Sequence, residues 1–301
     1  MLYYEEQCVR ERRILKPTIG FIGTGVMGKR MANRLLEAGY DVHTYTRTAS
    51  KAEELLQNGA IWQESVKELA KQTDIIITMV GYPSDVEEVY FGTEGLLENA
   101  VNGSVLIDMT TSSPDLAIKI AEKANEKELH AIDAPVSGGD IGAKNGQLSI
   151  MIGGEKQTVD QVLPIFKELG QNYIRQGLAG AGQFTKMCNQ VAIASTMIGV
   201  TEALVYAERA GLDPNIVLES ISGGAAGSWS LSNLTPRVIK RDFSPGFFIK
   251  HFIKDMKIAI ESAEKMGIDL PGLKLAKELY EELARNGEEN SGTQALYNYY
   301  A

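Results

Sequence analysis

The chain has 301 residues, of which 44% are hydrophobic and 23% are charged, and its formal net charge at pH 7 is -9. This composition is typical of a folded protein with one or two domains, and the acidic balance argues against nucleic acid, which binds basic surfaces. The two cysteines, Cys8 and Cys188, are too few for a disulfide framework and lack metal-ligand spacing, so we expect no metal site and a reducing, cytoplasmic setting.

Residues 1–16 precede the predicted fold and are interpreted as an N-terminal extension. They hold the only basic cluster, residues 10–16, but no apolar core segment, so we expect no signal peptide. The basic cluster is interpreted as solvated rather than as a nucleic-acid-binding arm. Three alternatives stay open for the extension: an ordered extra helix, a frayed leader or an artefact of the assigned start site.

Three glycines with the spacing G-x-G-x-x-G follow an apolar run at residues 18–22 and lead into a helical pattern. A strand that turns sharply into a helix presents free N–H groups and the positive end of the helix dipole, which suit a pyrophosphate. A second strand at 41–45 closes a unit of about thirty residues. We therefore predict that a dinucleotide binds the turn at Gly23, Thr24, Gly25, Val26, Met27 and Gly28; a purely structural glycine turn is the alternative.

Strand and helix patterns alternate from Pro17 onward. The strand patterns cover residues 18–22, 41–45, 74–80, 104–107, 131–136, 148–152 and 172–174. The helical patterns between them include residues 51–57, 65–71, 84–90, 114–126 and 156–169. Runs such as 75–77 are apolar on both faces, as a sheet covered by helices on each side requires. We therefore predict an α/β fold whose N-terminal domain, residues 17–179, is a Rossmann-type doubly wound parallel sheet.

The end of the second strand indicates which dinucleotide is bound. In this kind of fold an acidic residue about twenty positions after the glycine turn bonds the ribose 2′-hydroxyl and selects NAD. The corresponding place holds no carboxylate and instead holds Arg47 and Thr48. A guanidinium can bind a 2′-phosphate through two parallel hydrogen bonds. We therefore predict NADP rather than NAD, with a surface arginine of no cofactor role as the alternative.

Two further strand ends carry small or polar groups where ligands of such sheets lie. Met79 and Val80 end one strand, and Thr111 belongs to the segment DMTTSSP that follows another. We predict that these residues contact the ribose and nicotinamide of the cofactor. Polar loops at strand ends are common, so each signal is weak when taken alone.

Two segments in the middle of the chain are candidates for substrate binding. In DAPVSGG, the turn Ser137-Gly138-Gly139 can offer consecutive N–H groups to a carboxylate, or it can simply start a helix. In GAGQFTKMCN, Lys186 and Asn189 are three residues apart and share one helix face. A solvated stripe at the start of this helix is the alternative for the second pair.

These four motifs, GFIGTGVMG, DMTTSSP, DAPVSGG and GAGQFTKMCN, occur in the order and spacing of the β-hydroxyacid dehydrogenases. The chain resembles that family from about Pro17 to its C-terminus. The family includes 3-hydroxyisobutyrate dehydrogenase, tartronate semialdehyde reductase and the glyoxylate/succinic semialdehyde reductases, and is related to 6-phosphogluconate dehydrogenase. The resemblance implies hydride transfer between a nicotinamide and a small carboxylate-bearing aldehyde or hydroxyacid.

The resemblance also implies roles for individual residues. Lys186 resembles the catalytic lysine, the turn Ser137-Gly138-Gly139 a carboxylate-binding turn and Asn189 a substrate-orienting amide. The family often has a second asparagine in the lysine motif, and Gln190 stands there, as in the tartronate semialdehyde reductase branch. This weakens an assignment to 3-hydroxyisobutyrate.

The second half of the sequence lacks strand patterns after residue 174. Helical patterns cover residues 182–210, 214–222, 229–241, 249–266 and 271–285, with a short tail near residue 295. We predict an all-α substrate and oligomerisation domain, residues 180–301, joined to the first domain by the long helix that carries Lys186. The apolar stretch 191–207 is short for a bilayer span, so no membrane partner is expected.

The helical domain completes the expected active site, which should lie in the cleft between the domains. By the family resemblance, Phe247 and Lys254 resemble a lid over the nicotinamide, and the assembly is expected to be a homo-dimer or homo-tetramer. Three other functions stay open: an NAD-dependent enzyme of the 3-hydroxyisobutyrate dehydrogenase type, a non-catalytic dinucleotide-binding protein, and an imine-reducing relative. Lys186 disfavours the last, because those relatives commonly lack the lysine.

Overall fold

The computed structural model describes residues 16–300, so Cys8 and nearly all of the predicted N-terminal extension lie outside the described residues. The described chain contains a nine-stranded sheet in the order β3-β2-β1-β4-β5-β6-β8-β7, with β9 pairing to β8. The strands are β1 (Ile19–Ile22), β2 (Val42–Tyr45), β3 (Ile61–Trp62), β4 (Ile75–Thr78), β5 (Val105–Asp108), β6 (His130–Asp133), β7 (Val136–Ser137), β8 (Leu148–Gly153) and β9 (Gly170–Gly177). The predicted α/β fold is confirmed.

The first six strands of this order are all parallel, and they follow the arrangement of a dinucleotide-binding sheet. Its strand order reverses between β1 and β4, and this reversal is where ligands of such sheets bind. The helices of this half are α1 (Val26–Glu37), α2 (Glu53–Gln57), α3 (Val66–Ala70), α4 (Pro83–Phe91), α5 (Leu96–Asn99), α6 (Pro114–Glu126), α7 (Gly139–Asn145) and α8 (Lys156–Leu169).

Helices cover both faces of the sheet, which explains the apolar strand runs. On β4, Ile75 and Ile77 pack into the core beneath α1 and α8, whereas Ile76 packs into the core beneath α3, α4 and α6. All three side chains are at most 4% exposed. Alternate residues of a strand point to opposite faces, so burial on both faces requires a continuous apolar run.

The predicted strand at residues 131–136 is divided in the structure. Its first part is β6, which runs parallel to β5, and its second part is β7, which runs antiparallel to β8. Pro135 lies at the break and has no N–H to donate, while its carbonyl accepts from the backbone N–H of Met151 at 3.0 Å. The two-residue strand β3 and the four-residue helix α5 were not predicted, because elements this short show no periodic pattern. Helix α7 begins at Gly139, as the alternative for the Ser137-Gly138-Gly139 turn predicted.

The second half is helical, as predicted. Its helices are α9 (Ala181–Arg209), α10 (Pro214–Ile221), α11 (Trp229–Asn233), α12 (Thr235–Ile239), α13 (Ile249–Lys265) and α14 (Pro271–Leu283), followed by a π-helical turn at Ala284–Glu288 and a 3₁₀ helix at Thr293–Tyr299. The single helix predicted at 229–241 is wrong, because the helix breaks at Leu234 and Pro236 cannot continue its hydrogen bonding. The rings of Phe252 and Tyr280 pack edge to face in the core of this half, with centroids 5.1 Å apart.

Helix α9 connects the two halves through a very close contact. A Cβ atom added to Gly182 would collide with the carbonyl oxygen of Met151 and would lie 2.6 Å from that of Asp133. One added to Gly153 would lie 2.8 Å from the backbone nitrogen of Gly182. Thus α9 begins directly on the ends of β6 and β8. Length and composition alone would let α9 span a membrane, a test that core helices also pass.

Candidate active site

The glycine turn after β1 has a separate physical requirement at each glycine. Gly23 has a φ of +97°, which disfavours any residue with a side chain. At Gly28 an added Cβ would collide with the carbonyl oxygen of Gly23, so the helix could not pack as closely on the strand. At Gly25, by contrast, no atom of the described residues lies within 4 Å of an added Cβ, apart from the adjacent residues of the chain. The open side of the turn is therefore at Gly25.

The start of α1 has the free polar groups that an anion needs. Gly25 is the N-cap residue and provides no side-chain hydrogen bond to the first turn. Within the described residues, the hydroxyl of Thr24 is buried and has no hydrogen-bond partner. Val26 is 45% exposed at the same helix end. This combination of open space, uncapped N–H groups and an unpartnered hydroxyl fits a dinucleotide pyrophosphate.

Arg47 lies just beyond the end of β2, and its side chain is 71% exposed. Its guanidinium nitrogen Nη2 is 3.0 Å from Oδ1 of Asp85, in the first turn of α4. The other carboxylate oxygen of Asp85 accepts a hydrogen bond from the backbone N–H of Tyr82 at 3.1 Å. Thr48 is also exposed. The arginine is therefore accessible, and it forms an ion pair with Asp85, whose side chain is only 14% exposed.

Two neighbouring strand ends are tied to each other by hydrogen bonds. The backbone N–H of Val80, after β4, donates to the hydroxyl of Thr110, after β5, at 3.0 Å. The N–H of Met79 donates to the carbonyl oxygen of Ile22 at 2.9 Å. Met79 and Val80 are half-buried at the strand-order reversal. The predicted cofactor residues of β1 and β4 therefore line one edge of the sheet.

Lys254 connects the helical half to this edge. It lies in α13, and its Nζ donates to the carbonyl oxygen of Thr111 at 2.7 Å. The same Nζ is 3.0 Å from Oδ1 of Asp255, and the side chains of the two residues are 12% and 2% exposed. A largely buried ion pair thus holds the loop after β5 against α13. Lys254, which the sequence predicted as a cofactor contact, therefore lies between α13 and the loop after β5.

Lys186 is enclosed where β7, α9 and α13 meet. Its Nζ donates to the carbonyl oxygen of Val136 at 2.8 Å, and the residue is 6% exposed. Burial lowers the pKa of this ammonium to about 8, although the charge of Asp255 works in the opposite direction. A lysine with such a pKa can both donate and accept a proton near neutral pH. The alternative of a solvated stripe is wrong for this residue.

The turn Ser137-Gly138-Gly139 begins immediately after the carbonyl that Lys186 contacts. Ser137 is half-buried and Gly138 is exposed. A Cβ atom added to Gly139 would lie 3.6 Å from the carbonyl oxygen of Gly246, next to Phe247. The ring of Phe247 is half-buried, and its centroid is 5.7 Å from that of Phe252. The turn therefore lies between Lys186 and the predicted lid segment.

Asn189 belongs to a hydrogen-bonded chain that the sequence did not reveal. Its Nδ2 donates to Oε1 of Gln190 at 2.7 Å. Nε2 of Gln190 in turn donates to Oδ2 of Asp255 at 2.6 Å. Gln190 and Asp255 are each 1% exposed. The residue that replaces the family's second asparagine therefore links α9 to α13.

Asp133 is the first residue of the motif DAPVSGG, but it was not predicted as a site residue. Its carboxylate accepts from the backbone N–H groups of Gly180 and Gln183, both at 2.8 Å, and so caps α9. Burial raises its pKa, while these hydrogen bonds lower it. In the neighbouring strand, Asp108 pairs with Asp133 in register, and burial raises the pKa of Asp108 to about 7. The sequence signal that could have identified Asp108 and Asp133 is an acidic residue at the end of a strand.

The predicted site residues form two groups that meet at the loop after β5. The first group surrounds the edge of the sheet from the glycine turn to Val80, and the second surrounds Lys186. Thr111 is the point at which they join, through its contact with Lys254. Among the described residues, no group of three or more histidine, cysteine, aspartate or glutamate side chains could hold a metal ion.

Comparisons with known proteins give matches in both halves of the chain. Residues 18–204 match the family model described as the NAD binding domain of 6-phosphogluconate dehydrogenase. Residues 180–300 match the one described as NAD-binding of NADP-dependent 3-hydroxyisobutyrate dehydrogenase. Both halves of the chain, and the helix that joins them, are therefore covered.

Individual relatives match along nearly the whole chain. An uncharacterized oxidoreductase of Bacillus subtilis, YkwC, is 64% identical over 94% of this chain and 98% of its own length. The 2-hydroxy-3-oxopropionate reductase of Escherichia coli is 40% identical over 92% of this chain and 95% of its own. The solved structure of Mycobacterium tuberculosis 3-hydroxyisobutyrate dehydrogenase with L-serine has a TM-score of 0.86 at 28% identity and covers 94% of this chain and 98% of that one.

Proposed function

Because the chain belongs to the β-hydroxyacid dehydrogenase family and is an NAD(P)-dependent enzyme, we propose that it reduces small carboxylate-bearing aldehydes with NADPH. Lys186 is its general acid and base. The observation that carries this proposal is the enclosed Lys186 ammonium, which lies 2.8 Å from the Val136 carbonyl oxygen and beside the Ser137 turn. The reverse reaction oxidises the corresponding hydroxyacid.

In this reaction the cofactor and Lys186 have different roles. The bound nicotinamide supplies or accepts the hydride. In the reducing direction, the ammonium of Lys186 hydrogen-bonds the carbonyl oxygen and transfers a proton to it as negative charge develops there. This charge appears near the transition state, so the ammonium stabilises the transition state more than the ground state. In the oxidising direction the neutral amine removes the hydroxyl proton.

The other proposed contacts orient the reactants. Ser137, Gly138 and Gly139, together with Asn189, hold the substrate carboxylate and so fix the carbonyl carbon toward the cofactor. The glycine turn holds the pyrophosphate, and Met79, Val80, Thr111 and Lys254 enclose the remainder of the dinucleotide. Phe247 lies beside the Ser137 turn and excludes water from the reacting centre.

The preference for NADP rests on Arg47 and on the absence of a carboxylate among residues 45–48. We expect Arg47→Ser to raise the KM for NADPH about tenfold, which corresponds to about 1.4 kcal/mol. This free energy is near the low end of the range for hydrogen bonds to charged groups, because the arginine is exposed and also pairs with Asp85. The KM for NADH should change by less than about twofold, since NADH lacks the 2′-phosphate that the guanidinium binds.

The control for this measurement is Arg285→Ser, which removes an exposed arginine from the π-helical turn of the helical half. That variant should keep the wild-type KM for both cofactors. A KM of the wild-type enzyme for NADH equal to or below that for NADPH would contradict the NADP preference. The enzyme would then be NAD-dependent, as in the 3-hydroxyisobutyrate dehydrogenase alternative.

Among small aldehyde acids, we propose 2-hydroxy-3-oxopropionate (tartronate semialdehyde) as the first substrate to test. Gln190 and the 40% identity to the Escherichia coli reductase support it. The test compares it with glyoxylate, succinic semialdehyde and methylmalonate semialdehyde, each with NADPH and NADH, by absorbance of the reduced cofactor. Higher kcat/KM for methylmalonate semialdehyde would favour the 3-hydroxyisobutyrate branch. Oxidation of neither cofactor by any of the four would favour a non-catalytic dinucleotide-binding protein.

We also propose a cytoplasmic homo-oligomer, in which the helical half forms the contact between copies. Helix α10 has no buried residue. Three large apolar side chains on α9, α10 and α11 are exposed, namely Tyr206 (75%), Ile216 (62%) and Trp229 (65%). In α9, only 33% of the most apolar window is buried. Apolar surface of this extent is normally covered by a partner, and a second copy provides a matching apolar face.

A charge placed on this face should separate the copies. We expect Ile216→Glu to reduce the mass measured by light scattering to that of one chain, 32.9 kDa, because a carboxylate is costly to bury in an apolar contact. The matched control is Val101→Glu, which adds the same charge at a residue 53% exposed in the first half. A wild-type protein that is already monomeric at micromolar concentration would contradict the proposal.

A further inference from the structure

The geometry points to Gln183 as a positioning residue that fixes Lys186 relative to the loop at the end of β5. This inference rests on the function proposed above, because it assigns Gln183 a role through Lys186. Gln183 is fully buried in the first turns of α9. It lies three residues before Lys186, so the two side chains occupy the same helix face.

The side-chain amide of Gln183 hydrogen-bonds the loop through both its oxygen and its nitrogen. Its Oε1 accepts from the backbone N–H of Ser112 at 3.0 Å, and its Nε2 donates to the carbonyl oxygen of Thr110 at 2.7 Å. These partners lie on either side of Thr111, whose carbonyl accepts from Lys254. Three consecutive residues of the loop are therefore held from two different helices. Of these three hydrogen bonds, the two made by Gln183 come from the helix that carries Lys186.

The backbone of Gln183 is itself fixed to the sheet. Its N–H donates to Oδ2 of Asp133 at 2.8 Å, and the other carboxylate oxygen accepts from Gly180. The start of α9 is thus fixed against β6. The side chain of Gln183 in turn holds the loop after β5 against the same start of the helix. Since an α-helix is rigid over one turn, Lys186 and the loop are held at a set separation.

This separation matters because the loop carries a proposed cofactor contact and Lys186 carries the proton. Misplacement of a reacting group by about 1 Å can cost 10²-fold in rate. A loop released from Gln183 would still be held by Lys254, so the cofactor would still bind. The expected result of losing the amide is therefore a loss in kcat rather than in cofactor affinity.

The test uses Gln183→Met, which keeps the unbranched shape and removes both hydrogen bonds. We expect kcat to fall about 10²-fold, with a Kd for NADPH, from fluorescence titration, within about threefold of wild type. In the cofactor-free protein, amide hydrogen exchange at residues 109–113 should become faster, because Ser112 loses its acceptor. The last measurement is independent of any activity.

The matched control is Gln294→Met. Gln294 is 1% exposed, and its Nε2 donates to the carbonyl oxygens of Asp242 and Ser244, both at 3.1 Å. This substitution also removes two hydrogen bonds that a buried side-chain amide makes to backbone carbonyl groups, but neither carbonyl belongs to the loop after β5. It should lower the melting temperature by an amount similar to Gln183→Met and leave kcat unchanged.

A double variant separates positioning from general damage. If Gln183 acts through Lys186, adding Gln183→Met to Lys186→Ala should change kcat by less than about threefold, because the effects of residues that act as a unit are not additive. Full additivity, an unchanged kcat in Gln183→Met, or an equal kcat loss in Gln294→Met would overturn the inference. A fully active Lys186→Ala would instead overturn the proposed function.

Discussion

Replacement of Lys186 by alanine is expected to lower kcat by about 10²–10⁴-fold, the usual contribution of general acid–base catalysis. The ammonium is enclosed beside the Val136 carbonyl, so water has little access to take over its role. The Kd for NADPH should stay within about threefold of wild type, because the proposed cofactor contacts lie at the strand ends and on α13. Stopped-flow or steady-state kinetics with the preferred aldehyde, combined with fluorescence titration, measure both quantities.

The pH dependence provides a second measurement of the same lysine. Its pKa of about 8 means that the ammonium predominates below pH 8 and the neutral amine above it. Activity in the reducing direction should therefore fall as the pH rises through about 8, and activity in the oxidising direction should rise over the same range. Both limbs should disappear in Lys186→Ala. The exposed Lys119→Ala serves as the control, and a fully active Lys186→Ala contradicts the assignment.

Two glycine substitutions in the turn after β1 should have different consequences. Gly25→Ala is expected to fold normally, because among residues 16–300 its new Cβ would meet no atom within 4 Å beyond those of its chain neighbours. It should nevertheless weaken NADPH binding by about tenfold or more, or at least 1.4 kcal/mol, since the added methyl group occupies the space where the phosphates approach the backbone. Titration of NADPH fluorescence and thermal melting of the cofactor-free protein give the two values.

Gly28→Ala is the comparison, because its Cβ would collide with the Gly23 carbonyl oxygen inside the protein itself. Forcing extra volume into a packed region costs about 1–3 kcal/mol, so the cofactor-free protein should melt at a lower temperature. Normal NADPH affinity in Gly25→Ala would show that no phosphate lies against this turn. The pair of variants thus distinguishes a binding surface from a packing contact one helical turn away.

Local sequence patterns predicted most of the fold because the physical constraints on the sheet are local. Apolar runs such as residues 75–77 follow from burial on both faces, and Pro114 marked the start of α6 correctly. The failures concern short or divided elements. The strand that breaks at Pro135 pairs with one neighbour before the break and another after it, and the choice of neighbours depends on residues far away in the chain.

The residues of the candidate site were likewise predicted only in part from the sequence. Glycine spacing and family resemblance located the turn, Lys186 and Lys254, which the structure places at strand ends and between the two halves. Gln183 and Asp133 were missed because their roles depend on partners about 50 to 70 residues away. A glutamine next to a glycine pair has no period and no characteristic spacing. Its importance becomes visible only when both ends of its amide are seen to have partners.

The fit of Gly182 against Gly153 and Asp133 limits how this enzyme can be recombined with its relatives. Exchanging the second half for that of another family member joins two surfaces that leave no room for a single methyl group. Chimeras cut near residue 180 should fold only when both parents have glycine at these two positions and an aspartate opposite them. Libraries intended to combine one parent's cofactor choice with another's substrate range should therefore take Asp133, Gly153 and Gly182 from the same parent.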